Sequence, residues 1–161
     1  DAAWPMTLRL RQRGLAAVTG DAARLPLAQN AFSLVTSSMA LQWLDHAWEV
    51  LQDWRRLLCP GGKVVAVFPV DGTLQEWRRC LEEHAFQAAF RFPNPGEWTG
   101  KGRIEEKVIT MDYPSLRHFW LELKATGAHA PNQQAPALPA PFLRQLARQH
   151  KDRPFVATYR L

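Results

Sequence analysis

The stretch from Phe32 to Pro69 limits the fold more than any other part of the chain. It opens with Phe32 to Thr36, where Phe32, Leu34 and Val35 are apolar. Aromatic and β-branched residues prefer a pleated, buried surface, so a short strand is predicted here. Asp45 then stands where a helix cap belongs. A helix is predicted from there to Leu58, because Ala47, Val50, Leu51, Trp54, Leu57 and Leu58 recur at helical spacing. Gln52, Asp53, Arg55 and Arg56 fall off that stripe. Pro60-Gly61-Gly62 is predicted to stop the helix. Lys63 to Pro69 (KVVAVFP) follows as an unbroken apolar run, the pattern of a parallel strand buried on both faces. Strand, helix, strand makes a βαβ unit, whose crossover is right-handed in nearly all cases.

The flanks extend the same alternation. Asp1 to Gly14 reads as a helix with Pro5 in its first turn, Met6, Leu8 and Leu10 as contacts, and Gly14 as its stop. Leu15 to Thr19 reads as a short strand that runs into a Gly20-Asp21 turn. Leu25-Pro26-Leu27 is an extended connector, since Pro26 blocks helix. Downstream, Thr73 and Glu76 have capping-box spacing and are predicted to open a helix with Leu74, Trp77, Leu81 and Ala85 on one face. Phe90 to Gly102, rich in proline and glycine, reads as a loop. Val108 to Met111 is a predicted strand. Tyr113 to Thr126 is a predicted helix with Leu116, Phe119, Trp120 and Leu123 buried and Gly127 as its end. Ala130 to Pro141 is a predicted loop, Phe142 to His150 a helix, and Phe155 to Leu161 a last strand. The result is an α/β fold, doubly wound, with a mixed sheet that has an antiparallel edge strand. At 161 residues a single domain is expected, with a loop and helical insertion around residues 86–150.

Composition narrows the function. Cys59 and Cys80 are the only cysteines and have no metal-ligand spacing, which favours a reducing, cytoplasmic setting over a disulfide scaffold or zinc site. His46, His84, His118, His129 and His150 have no ligand spacing either and read as structural or solvated. No apolar run is long enough to span a membrane. The formal charge of +5 suits an acidic partner, but there is no lysine-rich block and no nucleic-acid motif. In open α/β sheets ligands bind beyond the carboxyl ends of strands. Asp21 and Ser37-Ser38 stand at such ends and mark a pocket rim.

The order DAAWPMTLRLRQRG, GDAARLPLAQNAFSLVTSSMALQW, LCPGGKVVAVFPVDGTLQEW resembles the class I S-adenosylmethionine-dependent methyltransferases. Within them it is most similar to the malonyl-[acyl-carrier protein] O-methyltransferases of biotin synthesis. The Gly-Asp-Ala turn, the Leu-Pro-Leu connector, the Ala-Leu-Gln-Trp loop, the Pro-Gly-Gly turn, the Gly72 to Glu76 helix start and the Arg91 to Pro93 segment carry the likeness. It is best from Asp1 to Arg91. The Gln-Trp and Gly-Thr-Leu-x-Glu features are the more specific ones, and the Pro-Gly-Gly turn is shared by many methyltransferases.

The resemblance implies a role for each matching position. Asp1 matches the acid that takes the cofactor's ribose hydroxyls, a task suited to a carboxylate; a helix cap is the plainer reading. Asp21 matches the acid that receives the adenine amino group, with the Ala22 N–H at the ring; a turn-forming Asp is its alternative. Ser37 and Ser38 match the place where the methionyl part passes, or are a plain strand end. Gln42 and Trp43 match the loop facing the transferred methyl, and would bond and wall the substrate; core and loop surface are the alternatives. Arg91 would pair with a substrate carboxylate, or stands exposed in a loop.

The implied cofactor is S-adenosyl-L-methionine and the implied partner is an acyl carrier protein bearing malonyl. The implied reaction is in-line attack of the malonyl carboxylate on the sulfonium methyl, with no need of a strong base. The family's glycine-rich loop after its first strand has no counterpart in these residues, because none of the nine glycines forms a GxGxG. The chain therefore reads as a Rossmann-like sheet lacking its first strands, N-terminally truncated and inactive by itself. Ser33 replaces the family's usual Asp, and Ala3-Trp4 its usual Ser-Pro. Two other functions remain open: methyl transfer to another small molecule, such as a quinone or lipid intermediate, or a non-catalytic binding module on this fold.

Overall fold

A computed structural model describes residues 3–44, 46–86, 92–126, 138–151 and 153–161. They form two compact units, Asp1–Phe68 and Pro69–Leu161.

In the first unit, α1 runs Trp4–Gln12 with Pro5 in its first turn, and Gly14, at φ +76°, takes the left-handed turn that ends it. The buried side of α1 differs from the prediction: Thr7 is the buried residue, while Met6 and Leu8 are exposed. The Thr7 hydroxyl donates to the Ala3 carbonyl at 3.3 Å, which lets a polar side chain lie inward. β1 (Phe32–Ser38) and β2 (Leu58–Val67) pair in parallel across α2 (Ala47–Trp54) and a 3-10 turn at Arg55–Leu57. This is the expected βαβ unit. Asp45, predicted to cap α2, lies outside the described residues.

Three expectations in this unit are corrected. Residues 15–19 belong to neither sheet. A strand exists only with a hydrogen-bonded neighbour, and here the Ala17 carbonyl is taken instead by the Arg11 guanidinium at 2.9 Å. Pro60-Gly61-Gly62 does not end the helix, which has already closed by Leu57. It lies inside β2, where the register jumps from Phe32 opposite Leu58 to Leu34 opposite Lys63. Gly61 at φ +80° turns that bulge. A side chain at Gly62 would meet the Phe32 carbonyl at 3.2 Å. Finally, β1 and β2 are not buried on both faces: Leu34 and Val65 are each about half exposed, and Phe32 and Val67 are also open.

In the second unit, β3 (Val108–Tyr113) pairs antiparallel with β4 (Phe155–Arg160). Around them pack α3 (Gln75–Glu82), α4 (Leu116–Ala125) and α5 (Ala140–Gln149), with a short 3-10 turn at Pro95–Trp98. The core holds Leu74, Trp77, Cys80, Leu81, Leu116, Phe119, Leu123 and Leu146, with Tyr113 and Ala157 from the sheet. These are the stripes predicted for α3 and α4, except that Trp120 is only partly buried against the core and Ala85 lies past the end of α3, exposed, at φ +59°. Tyr113 closes β3 and does not open α4, and Pro141 sits in the first turn of α5, where its missing N–H costs nothing. Phe90 and residues 127–137, including the predicted stop at Gly127, lie outside the described residues.

The capping box at Thr73 and Glu76 is also corrected. Leu74, at φ +54°, precedes α3 without any side-chain cap. The two side chains bond the outer edge of β4 instead. The Thr73 hydroxyl donates to the Arg160 carbonyl at 2.8 Å and accepts from the Arg160 N–H at 2.9 Å. Glu76 accepts from the Thr158 hydroxyl at 2.6 Å and from the Thr158 N–H at 3.0 Å. With the Leu74 and Val70 N–H groups, which donate to the Thr158 and Arg160 carbonyls at 2.6 and 2.9 Å, these side chains cover the outer edge of β4. Burial by itself would raise the Glu76 carboxyl, but the Thr158 hydroxyl and backbone bonds outweigh it and hold the group below its ordinary value. A carboxyl lowered in the folded state stabilises fully above its unfolded pKa, and that stability is lost as pH falls through the folded value. Glu76→Gln is expected to cost about 1–2 kcal/mol at neutral pH in urea unfolding, with the gap to wild type closing in acid. A gap that persists unchanged in acid would refute this.

Candidate functional site

The candidate site is built on the first unit, where the chain leaves residues 15–19 and where it leaves β1. Asp21 precedes a 3-10 turn, Ala22–Arg24, and its Oδ1 accepts the Ala23 N–H at 2.9 Å. Asp is favoured there because its short carboxylate bonds the backbone two residues on. Its other oxygen lies 4.0 Å from the Arg24 guanidinium, and the side chain is 55% exposed, so Oδ2 has room for a further donor. The Ala22 N–H opens the turn and has no acceptor within it, as first-turn donors do not. A side chain at Gly20 would meet Pro26 Cδ at 3.1 Å, so glycine lets the turn lie against the connector.

At the end of β1, Ser37 is buried and its hydroxyl has no hydrogen-bond partner among the described residues, while Ser38 is exposed. Met39, at φ +53°, turns the chain, and its N–H donates to the Val67 carbonyl at 2.8 Å. The Gln42 amide donates to the Met39 carbonyl at 2.8 Å, and its Oε1 is buried without a partner among the described residues. Leu41 anchors this loop, fully buried, and Trp43 is 45% exposed beyond it. Asp1 and Arg91 lie outside the described residues. One further residue joins the set: Thr19, two before Asp21, has a buried hydroxyl without a partner among the described residues. A small hydroxyl at a segment's end was the signal used for Ser37, and the same rule points to Thr19.

An α2 residue ties the two loops together. Trp54, 5% exposed, donates its indole N–H to the Ala22 carbonyl at 2.8 Å. The Asp21 turn is therefore held by the helix that follows the Gln42-Trp43 loop. The arrangement offers an acid whose second oxygen faces the exposed Arg24 guanidinium at 4.0 Å, a first-turn N–H with no acceptor among the described residues, and buried hydroxyls at the ends of extended segments. Those groups fit the adenosine and amino-acid parts of S-adenosylmethionine. Among the described residues no cluster of His, Cys, Asp or Glu could hold a metal ion, and no helix is long and apolar enough to cross a membrane.

Residues 4–66 match the methyltransferase domain family. The malonyl-[acyl-carrier protein] O-methyltransferase of Methylococcus capsulatus is 32% identical over 124 residues, covering 71% of this chain and 45% of that protein. The chain thus spans about half the length of the curated relatives it matches. Among solved structures, an S-adenosylmethionine-dependent methyltransferase of Thermotoga maritima superposes with a TM-score of 0.51 at 22% identity, over 71% of this chain and 57% of its own. The YcgJ protein of Bacillus subtilis superposes with a TM-score of 0.59 at 14% identity, over 99% and 76%. Fold and sequence together identify the chain as a class I S-adenosylmethionine-dependent methyltransferase-fold protein, one that resembles the malonyl-[acyl-carrier protein] O-methyltransferases.

Proposed function

We propose that the intact protein moves the methyl group of S-adenosylmethionine to the free carboxylate of a malonyl thioester held on an acyl carrier protein, early in cytoplasmic biotin synthesis. The supporting observation is the similarity to curated malonyl-[acyl-carrier protein] O-methyltransferases across 71% of the chain. Bound, the cofactor supplies a methyl group on a sulfonium sulfur. Asp21 would take the adenine amino group on Oδ2 and the Ala22 N–H the ring edge. Ser37 and Ser38 would border the methionyl part and Asp1 the ribose. Gln42, Trp43 and Arg91 would orient the acceptor.

The chemistry asked of these residues is modest. A malonyl carboxylate is ionised at neutral pH, so no side chain has a proton to remove. Their work is alignment and exclusion of water. The +5 charge suits an acidic carrier protein, whose approach it would steer. With methyl-labelled S-adenosylmethionine and malonyl-loaded carrier protein, the intact protein is expected to give a labelled methyl ester released by mild alkali. Cofactor binding with no label on the malonyl group would sink the substrate assignment.

A further inference from the structure

The connector after Asp21 cannot satisfy its own backbone. Residues 25–27 are extended, Pro26 has no N–H, and carbonyls at such positions need donors from elsewhere. Among the described residues, most of the connector's anchors come from one short stretch, residues 54–57. Trp54 Nε1 donates to the Ala22 carbonyl at 2.8 Å. Arg56 Nη2 donates to the Leu25 carbonyl at 2.7 Å and Nη1 to the Leu27 carbonyl at 3.1 Å. Asp53 receives Arg56 Nε on both carboxylate oxygens at 3.2 Å and so fixes the plane of the guanidinium. The Asn30 and Ala31 N–H groups donate to the Arg56 and Leu57 carbonyls at 3.0 and 2.9 Å, handing the chain into β1.

We infer that Trp54 and Arg56 are positioning residues for the adenine-side turn: they clamp the backbone from Ala22 to Leu27 and so set the Asp21 carboxylate and the Ala22 N–H against a purine base. The inference rests on the cofactor part of the reading above. The two bonds nearest the turn fall on the carbonyl of Ala22 itself and on that of Leu25, which caps the same 3-10 turn. A bond that only held the core together would have no reason to converge there. Arg is required over Lys because two carbonyls and a carboxylate are met by one rigid, planar fork. The indole supplies a single directed N–H from a buried ring, so Phe in its place keeps the packing and removes the donor.

The test compares two nucleosides in the intact protein by calorimetry: S-adenosylhomocysteine and S-inosylhomocysteine, which carries an oxygen where adenine has its amino group. The wild type is expected to favour the adenosyl ligand. Trp54→Phe and Arg56→Met are each expected to shrink that preference about tenfold, the weight of one well-set hydrogen bond to a charged group. Arg56→Lys, with one donor in place of a fork, is expected to fall between. Hydrogen exchange at the Ala23 and Arg24 amides is expected to quicken in both variants while exchange in the rest of the unit holds. An unchanged preference, an equal loss for both nucleosides, or a wild type that binds neither overturns the inference. No acceptor is present in this experiment. A protein that discriminates the two ligands but methylates no malonyl thioester therefore loses the substrate reading and keeps the clamp.

Discussion

Phe119→Ala is expected to remove about 3–5 kcal/mol from the second unit. Phe119 is fully buried, and its ring meets Trp77 at 5.9 Å, Tyr113 at 5.3 Å and Phe155 at 4.7 Å between centroids. It therefore joins α3, β3, α4 and β4 in one contact set. Truncation loses the transfer energy of the ring and leaves a cavity among aromatic neighbours that cannot all collapse into it. Since whole domains are stable by only about 5–15 kcal/mol, the variant should unfold at markedly lower denaturant. Urea titration followed by tryptophan fluorescence reads this through Trp77, which is in the same cluster. A loss below about 1 kcal/mol would mean that the ring does not hold the unit together.

Asp21→Ala is expected to weaken S-adenosylmethionine binding to the intact protein about 10–100-fold, the range of a hydrogen bond to a charged group. Asp21 also closes its own turn through the Ala23 N–H, so Ala removes both a ligand contact and a local anchor. Asn separates the two effects, because its amide oxygen can still cap the turn without the charge. The expected order of affinity is wild type, then Asn, then Ala, by calorimetry. Unchanged affinity in Asp21→Ala would remove the adenine role from this residue.

The segments most legible in the sequence were those with a strong local period. The α2 stripe of Ala47, Val50 and Trp54, and the α4 stripe of Leu116, Phe119 and Leu123, turn inward as their spacing requires. The parallel pairing of β1 and β2 across α2 follows from strand, helix and strand in that order. The candidate site was legible at Asp21 and Ser37 because acids and small hydroxyls at segment ends are visible without any coordinates. The clamp was not legible. Arg56 read only as a residue off the helix stripe, and nothing local shows that its guanidinium reaches back 29 and 31 residues to two carbonyls.

Sequence alone determined where the helices lie, which side of most of them is buried, the βαβ unit and the family likeness. Each of these depends on residues a few positions apart. Tertiary structure decided the rest. Residues 15–19 have strand composition yet join no sheet, because a strand is defined by a partner. Pro60-Gly61-Gly62 became a bulge inside β2, because the register with β1 left surplus residues to turn out. Thr73 and Glu76 took the edge of β4 in place of a helix cap, because the fold lays Arg160 and Thr158 beside them. In each case the choice between alternative hydrogen bonds was made by groups remote in sequence, and only the folded chain brings those groups within reach.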